Sequence, residues 1–125
     1  MLNRVKPAIV FRNFEFDTGK ATLKSGTERQ LEELAAAFIN LQDKSIKIFG
    51  HTDTQAFPNT TPSESRRLNQ ELSQKRANTV AEELIKRGVP SNRLITKGFG
   101  QDKPLIDENN SAGWAKNRRV EIEVD

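Results

Sequence analysis

Ser45-Ile46-Lys47-Ile48-Phe49-Gly50 alternates apolar with polar residues and then halts at a glycine, and His51-Thr52-Asp53 follows at once. A period of two marks a strand with one buried face. This strand therefore delivers a His, a Thr and an Asp just beyond its carboxyl end. Upstream, Ala8 to Phe16 is rich in β-branched and aromatic residues. Ile9 and Phe11 share one parity and Phe14 and Phe16 the other, which predicts an opening strand with a bulge where the alternation slips. Between the two strands, Ser25-Gly26-Thr27-Glu28 has the capping-box form. Leu31, Leu34, Ala35, Phe38 and Ile39 then recur at helical spacing, so an amphipathic helix ending near Asn40 carries the chain from the first strand to the second.

Downstream of Asp53 the chain turns polar, and Thr54 to Arg67 reads as a loop containing Pro58. Within it Thr61-Pro62-Ser63-Glu64 offers an N-cap, a proline at the first helical position and a glutamate at the third, the signal for a short helix. Ser73 can cap a separate helix with the stripe Ala77, Val80, Ala81, Leu84 and Ile85, stopped by Gly88 and Pro90. Leu94-Ile95-Thr96 is a brief third strand, Gly98 to Gly113 a long polar loop, and Val120-Glu121-Ile122-Glu123-Val124 a closing strand that alternates apolar with acidic residues. The expected fold is α/β (α+β): a two-layer sandwich in the order βαβαβ-β, with a mixed sheet, helices on one face and water on the other.

The 125 residues suit a single domain, 1–125, with one core. A formal charge of +3 divides into +1 for residues 1–62 and +2 for residues 63–125, so no basic tail points to nucleic acid. There is no cysteine and one histidine, which removes disulfides, thiolate metal sites and multi-histidine metal sites, and no cofactor is expected. No apolar run approaches the roughly 20 residues that span a bilayer. Met1 to Ala8 lacks the apolar stretch of a signal peptide, so an exported protein would contain this chain as an excised domain.

Catalytic motifs are scarce. Gly98-Phe99-Gly100 lacks the third glycine of a dinucleotide loop, and no nucleophile elbow accompanies His51 and Asp53, which alone could imitate part of a hydrolase triad. The stronger signal is an ordered set: Gly50-His51-Thr52-Asp53, then Asn69, then Leu72-Ser73-Gln74-Lys75-Arg76-Ala77, and finally Asn117-Arg118-Arg119-Val120-Glu121-Ile122. In these residues the chain resembles the C-terminal OmpA-like family, shared by outer-membrane OmpA proteins, the peptidoglycan-associated lipoprotein and the flagellar stator protein MotB. The likeness runs from about Ile9 to Val124.

The resemblance implies a non-enzymatic domain in the periplasm of a Gram-negative envelope. Such a domain binds peptidoglycan through the diaminopimelate of the stem peptide and anchors a parent protein held at the membrane by other segments. In a stator-type parent, dimerisation would matter more. Asp53 and Arg76 correspond to the family's ligand-gripping pair, a carboxylate for the ligand's ammonium and a guanidinium fork for its carboxylate. Arg118 is the second cationic candidate, since it shares strand parity with Val120, Ile122 and Val124, whereas Arg119 goes with Glu121 and Glu123 to the solvent face. Asn69 either donates to the ligand or braces the loop. Thr52 and Asp17 are rim contacts or turn formers, and Phe16 borders the pocket or packs. Phe14 and Phe49 pack, His51 holds its turn, and Trp114 packs over the helices or stacks on glycan.

If Ser73 caps its helix, Arg76 stands in the first turn, a quarter-turn off the apolar stripe and at the rim. Its removal is then expected to change stability by no more than about 1 kcal/mol. Fifteen residues separate Asp53 from Asn69, more than the family usually has, so Thr54 to Arg67 is expected to be a dispensable, mobile insertion beside the pocket.

Overall fold

The computed structural model describes residues 9–41 and 44–124, with side chains from residue 14 onward. Ala8 and the termini therefore lie outside the described residues. The elements are β1 (Ile9–Glu15), α1 (Glu28–Asn40), β2 (Ile46–Gly50), α2 (Pro62–Lys86), β3 (Leu94–Gly98), α3 (Ser111–Asn117) and β4 (Arg119–Val124), with a 3-10 turn at Ser91–Arg93 before β3. One four-stranded sheet has the order β1-β4-β2-β3. β4 lies antiparallel to both β1 and β2, while β2 and β3 are parallel. The bulge expected in β1 falls between Phe11 and Phe14.

Period-two and helical stripes meet in one core. Phe14, Ile46, Ile48, Val120, Ile122 and Val124 from the sheet pack with Leu31, Leu34 and Phe38 of α1 and Ala77, Val80 and Leu84 of α2. Fully burying a side chain of this size contributes about 1.5–3 kcal/mol, so this layer holds the sandwich together. The last member of each predicted stripe stays at the edge: Ile39 and Ile85 are exposed.

Four sequence expectations need correction. Ser25 does not cap α1. Thr27 is the N-cap without a side-chain bond to the helix, and Glu28, at the first helical position, accepts from the Gly26 amide, where φ is +92°. The short helix and the helix expected from Ser73 are one continuous helix, α2. Its capping box is the one at Thr61, whose hydroxyl accepts from Glu64 N–H while the Glu64 carboxylate accepts from Thr61 N–H. The sequence signal broke in the middle because the buried face of the first half carries Ser65, Asn69 and Ser73, a helical stripe written in polar residues. Finally, the long loop before β4 contains α3, capped by Asn110, and the outer sheet face is partly covered by Phe99, which meets Phe49 edge-on at 5.3 Å.

Close approach of α2 to the sheet fixes where the site lies. A Cβ on Gly50 would stand 1.8 Å from the Ser73 carbonyl oxygen, and one on Gly98 would stand 2.4 Å from the Ser73 hydroxyl. The glycine that ended the strand pattern is thus a contact point for the helix backbone. Ser73 is small for the same reason, and its hydroxyl donates to Gln70 O and accepts from Gly100 N–H. With α2 pressed onto the carboxyl ends of β2 and β3, the turn His51–Asp53 emerges beside the polar half of the helix.

Candidate functional site

A cavity of about 150 Å³ opens there, lined by Thr52, Asp53, Asn69 and Arg76, by Gln55–Pro58 and Leu72, and by Thr18 and Gly19. Asp53 is 4% exposed. One carboxylate oxygen accepts from Gln55 N–H at 3.0 Å, and the other is paired with Arg118 Nη1 at 3.0 Å. An ionised carboxylate has about four acceptor sites, so roughly half of its capacity remains.

Arg76 is the largest fully buried side chain of those described, 0% exposed and not at the rim. Nε donates to Lys20 O, Nη1 to His51 O and Nη2 to Asp17 O, at 2.8, 2.8 and 3.1 Å, and the guanidinium lies 5.1 Å above the centre of the Phe16 ring. Three of its five N–H groups are thereby engaged. Because α2 begins at Pro62, Arg76 stands about four turns inside the helix, where the terminal dipole has little effect. Burial lowers its pKa to about 10, with the Asp53 charge opposing that shift and the Arg118 charge adding to it. It remains a cation at neutral pH.

Asp53 pairs with Arg118 rather than with Arg76. Arg118, immediately before β4, turns toward the helix layer as its parity implied and also donates to Phe16 O. Arg119 lies with Glu121 on the other face as expected, but it is buried, bonded to Glu121 and to the carbonyls of Asn117 and Lys103. Asn69 donates to the Gln101 side chain at 3.0 Å and reaches Gln55 O at 3.5 Å, so it braces the cavity wall that it also lines. Thr52 is buried, with its hydroxyl donating to Asp53 O. Phe16 lies beneath Arg76, one layer below the cavity. Asp17 contributes only its carbonyl, because its carboxylate is exposed and faces Lys24 at 3.6 Å. Trp114 is half-buried on α3 and lines neither this cavity nor the one beside His51.

The expected insertion is loop only as far as Thr61, and residues 62–67 are the first turns of α2. The loop is fastened: Ser65 Oγ accepts from Phe57 N–H at 2.9 Å, and Thr60 Oγ donates to Phe57 O at 2.8 Å. The cavity wall Gln55–Pro58 was not singled out from sequence, although Phe57-Pro58 is an apolar pair inside a polar stretch.

His51 and Asp53 do not share a site. The His51 ring stacks on Phe99 with centroids 5.5 Å apart and lines a separate cavity of about 410 Å³ with Phe49, Lys103 and Glu121. That removes the geometry of a triad. Burial, reinforced by the Arg119 charge and partly opposed by Glu121, lowers the His51 pKa from 6.5 to about 4. An unfolded chain takes up this proton as pH falls through 6.5, while the folded chain resists until about 4, so folded stability is lost progressively across that window. Melting temperatures of the native chain and of His51→Gln, measured between pH 7 and 4, are expected to converge or cross in favour of the variant as pH falls. Parallel curves would remove His51 from the acid sensitivity.

A four-stranded sheet of this order with two helices over one face, and a buried Asp and Arg at the helix-covered end of β2, defines an OmpA-like α+β domain. The chain belongs to the OmpA family, whose pattern matches residues 15–118. The probable lipoprotein YiaD of Escherichia coli (strain K12) is 34% identical over 110 residues, covering 88% of this chain and 47% of that protein. Outer membrane porin F of Pseudomonas fluorescens is 33% identical, covering 89% of this chain and 32% of that protein. The chain thus spans half or less of the length of these relatives. Among solved structures, the peptidoglycan-associated lipoprotein from Burkholderia pseudomallei superimposes with a TM-score of 0.80 at 26% identity, covering 92% of this chain and 91% of that one. The periplasmic domain of Helicobacter pylori MotB shares the fold, with a TM-score of 0.81 at 21% identity over 98% of this chain and 78% of that one.

Proposed function

We propose that this chain binds peptidoglycan non-covalently in the periplasm of a Gram-negative envelope and anchors a membrane-associated parent protein to the wall, without turning its ligand over. The ligand group is the free amino-acid end of diaminopimelate in the stem peptide. The observation that carries this is the floor of the cavity at Asp53, where a buried acid and two buried or half-buried arginines converge beneath one opening. Asp53 receives the ligand's ammonium on its unused acceptor sites. Arg76, buried in the cavity floor, offers its two remaining N–H groups to the ligand's carboxylate once neighbouring side chains adjust, a common change on binding. Family membership and the resemblance to a lipoprotein named for its association with peptidoglycan support peptidoglycan as the polymer bound. Arg118, paired with it at 3.0 Å, holds the Asp53 carboxylate in place.

Co-sedimentation with purified sacculi tests it. The protein is expected to pellet with diaminopimelate-type sacculi and to remain largely soluble with lysine-type ones, because a lysine in the stem lacks the second carboxylate. Equal pelleting with both would sink the amino-acid clamp.

A further inference from the structure

We propose that Ala56, Phe57 and Pro58, together with Leu72, form an apolar sleeve that makes the cavity selective for an α-amino-acid head carried on an unbranched aliphatic stem, with Phe57 reading the stem. The inference rests on the cavity being an amino-acid site and adds what surrounds the charged head. The lining divides by depth. Asp53, Arg76, Thr52 and Asn69 are buried, whereas Phe57 and Leu72 are half-buried and Ala56 and Pro58 exposed. Charge therefore lies at the floor and carbon at the mouth.

The sleeve is held in place from both sides. Asp53 accepts from Gln55 N–H, and the hydroxyls of Ser65 and Thr60 take the Phe57 amide and carbonyl. The Ser65 side chain is itself buried, so the loop is latched to α2 by a protected bond. Holding an apolar ring at the solvent-facing mouth keeps carbon surface against water, and a ligand stem laid along it would release that water.

Size fixes how much of the ligand each zone takes. A dry cavity of about 150 Å³ admits a molecule like benzene, or about six heavy atoms. An ammonium nitrogen, a carboxylate and the carbon that joins them account for five. The first methylene completes the filling, and the next ones must lie against Phe57 and Leu72. Each methylene moved out of water contributes about 0.8 kcal/mol, close to fourfold in affinity.

A nuclear magnetic resonance titration of the whole chain with glycine, alanine, 2-aminobutyrate, norvaline and norleucine tests this, with diaminopimelate run in parallel. The native chain is expected to bind each longer homologue about three- to fourfold more tightly until the stem clears the rim. In Phe57→Ala, glycine and alanine should bind as before while the step for each further methylene falls below twofold, and Phe57→Leu should restore most of it. Unshifted amide signals from the core report that each variant is folded. Steps that survive intact in Phe57→Ala, or a flat series in a native chain that binds diaminopimelate, would overturn the sleeve and leave the clamp standing. Failure of every compound, diaminopimelate included, would instead bring down the proposed ligand and the sleeve with it.

Discussion

Arg76→Ala is expected to unfold at a temperature about 10–20 °C below the native chain, a loss of about 3–5 kcal/mol from a domain whose whole stability is about 5–15 kcal/mol. The guanidinium ties α2 to two other segments, because its acceptors are the carbonyls of Asp17 and Lys20 after β1 and of His51 after β2. Alanine strands those carbonyls where little water reaches, and each buried polar group left unpaired costs about 1–3 kcal/mol. It also leaves a void above Phe16 and removes a positive charge that interacts with Asp53. Burying the cation is itself unfavourable, as its lowered pKa records. That burial cost offsets part of the gain, but deleting the side chain relieves it only by exposing the acceptors. Arg76→Lys retains the charge and one or two of the bonds, so it should recover about half of the loss. Thermal and urea unfolding of the two variants beside the native chain would measure this. A shift of a degree or two for Arg76→Ala would mean that the carbonyls find other partners and that Arg76 stands apart from the core after all.

That outcome is the one expected from sequence, and the reason for the difference is specific. Periodicity counts apolar residues, and by that measure the helix begins at Ser73, which puts Arg76 at an exposed first turn. The face of α2 that points at the cavity runs through Ser65, Asn69 and Ser73, so a continuous buried stripe looked like a loop and a cap. The same rule worked where the buried face was oily: β1 with its bulge, α1, β2 and β4 were all legible from alternation or helical spacing. It missed α3, whose seven residues present too few apolar positions to form a stripe. The residues of the candidate site were legible only as a pattern shared with a family. Nothing in their spacing revealed that Asp53 is held by Arg118, that Asp17 contributes a carbonyl rather than a carboxylate, or that Phe57 stands at the mouth. Those facts depend on side-chain direction at turns, where one φ angle decides which way a group points.

Because Arg76 serves the fold as well as the proposed ligand, the clearer test of binding is Asp53→Asn. The amide keeps the size of the side chain, and its oxygen can still accept from Gln55 N–H. What it loses is the negative charge, and with it the ion pair to Arg118, whose guanidinium keeps its bond to Phe16 O. One partner of a partly buried pair is thereby neutralised rather than deleted, so the melting temperature should fall by only a few degrees, about 1–2 kcal/mol. Binding should suffer far more. The ligand's ammonium would face an amide and two arginines with no counter-charge, and truncating one side of a desolvated charge pair typically costs about 2–5 kcal/mol, or roughly 30-fold to several thousand-fold in affinity. Calorimetric titration with diaminopimelate at a temperature well below the melting point of the variant separates the two effects. If folded Asp53→Asn binds within a factor of two or three of the native chain, the ammonium is not held at Asp53, and the cavity between β2 and α2 is not where the wall is gripped.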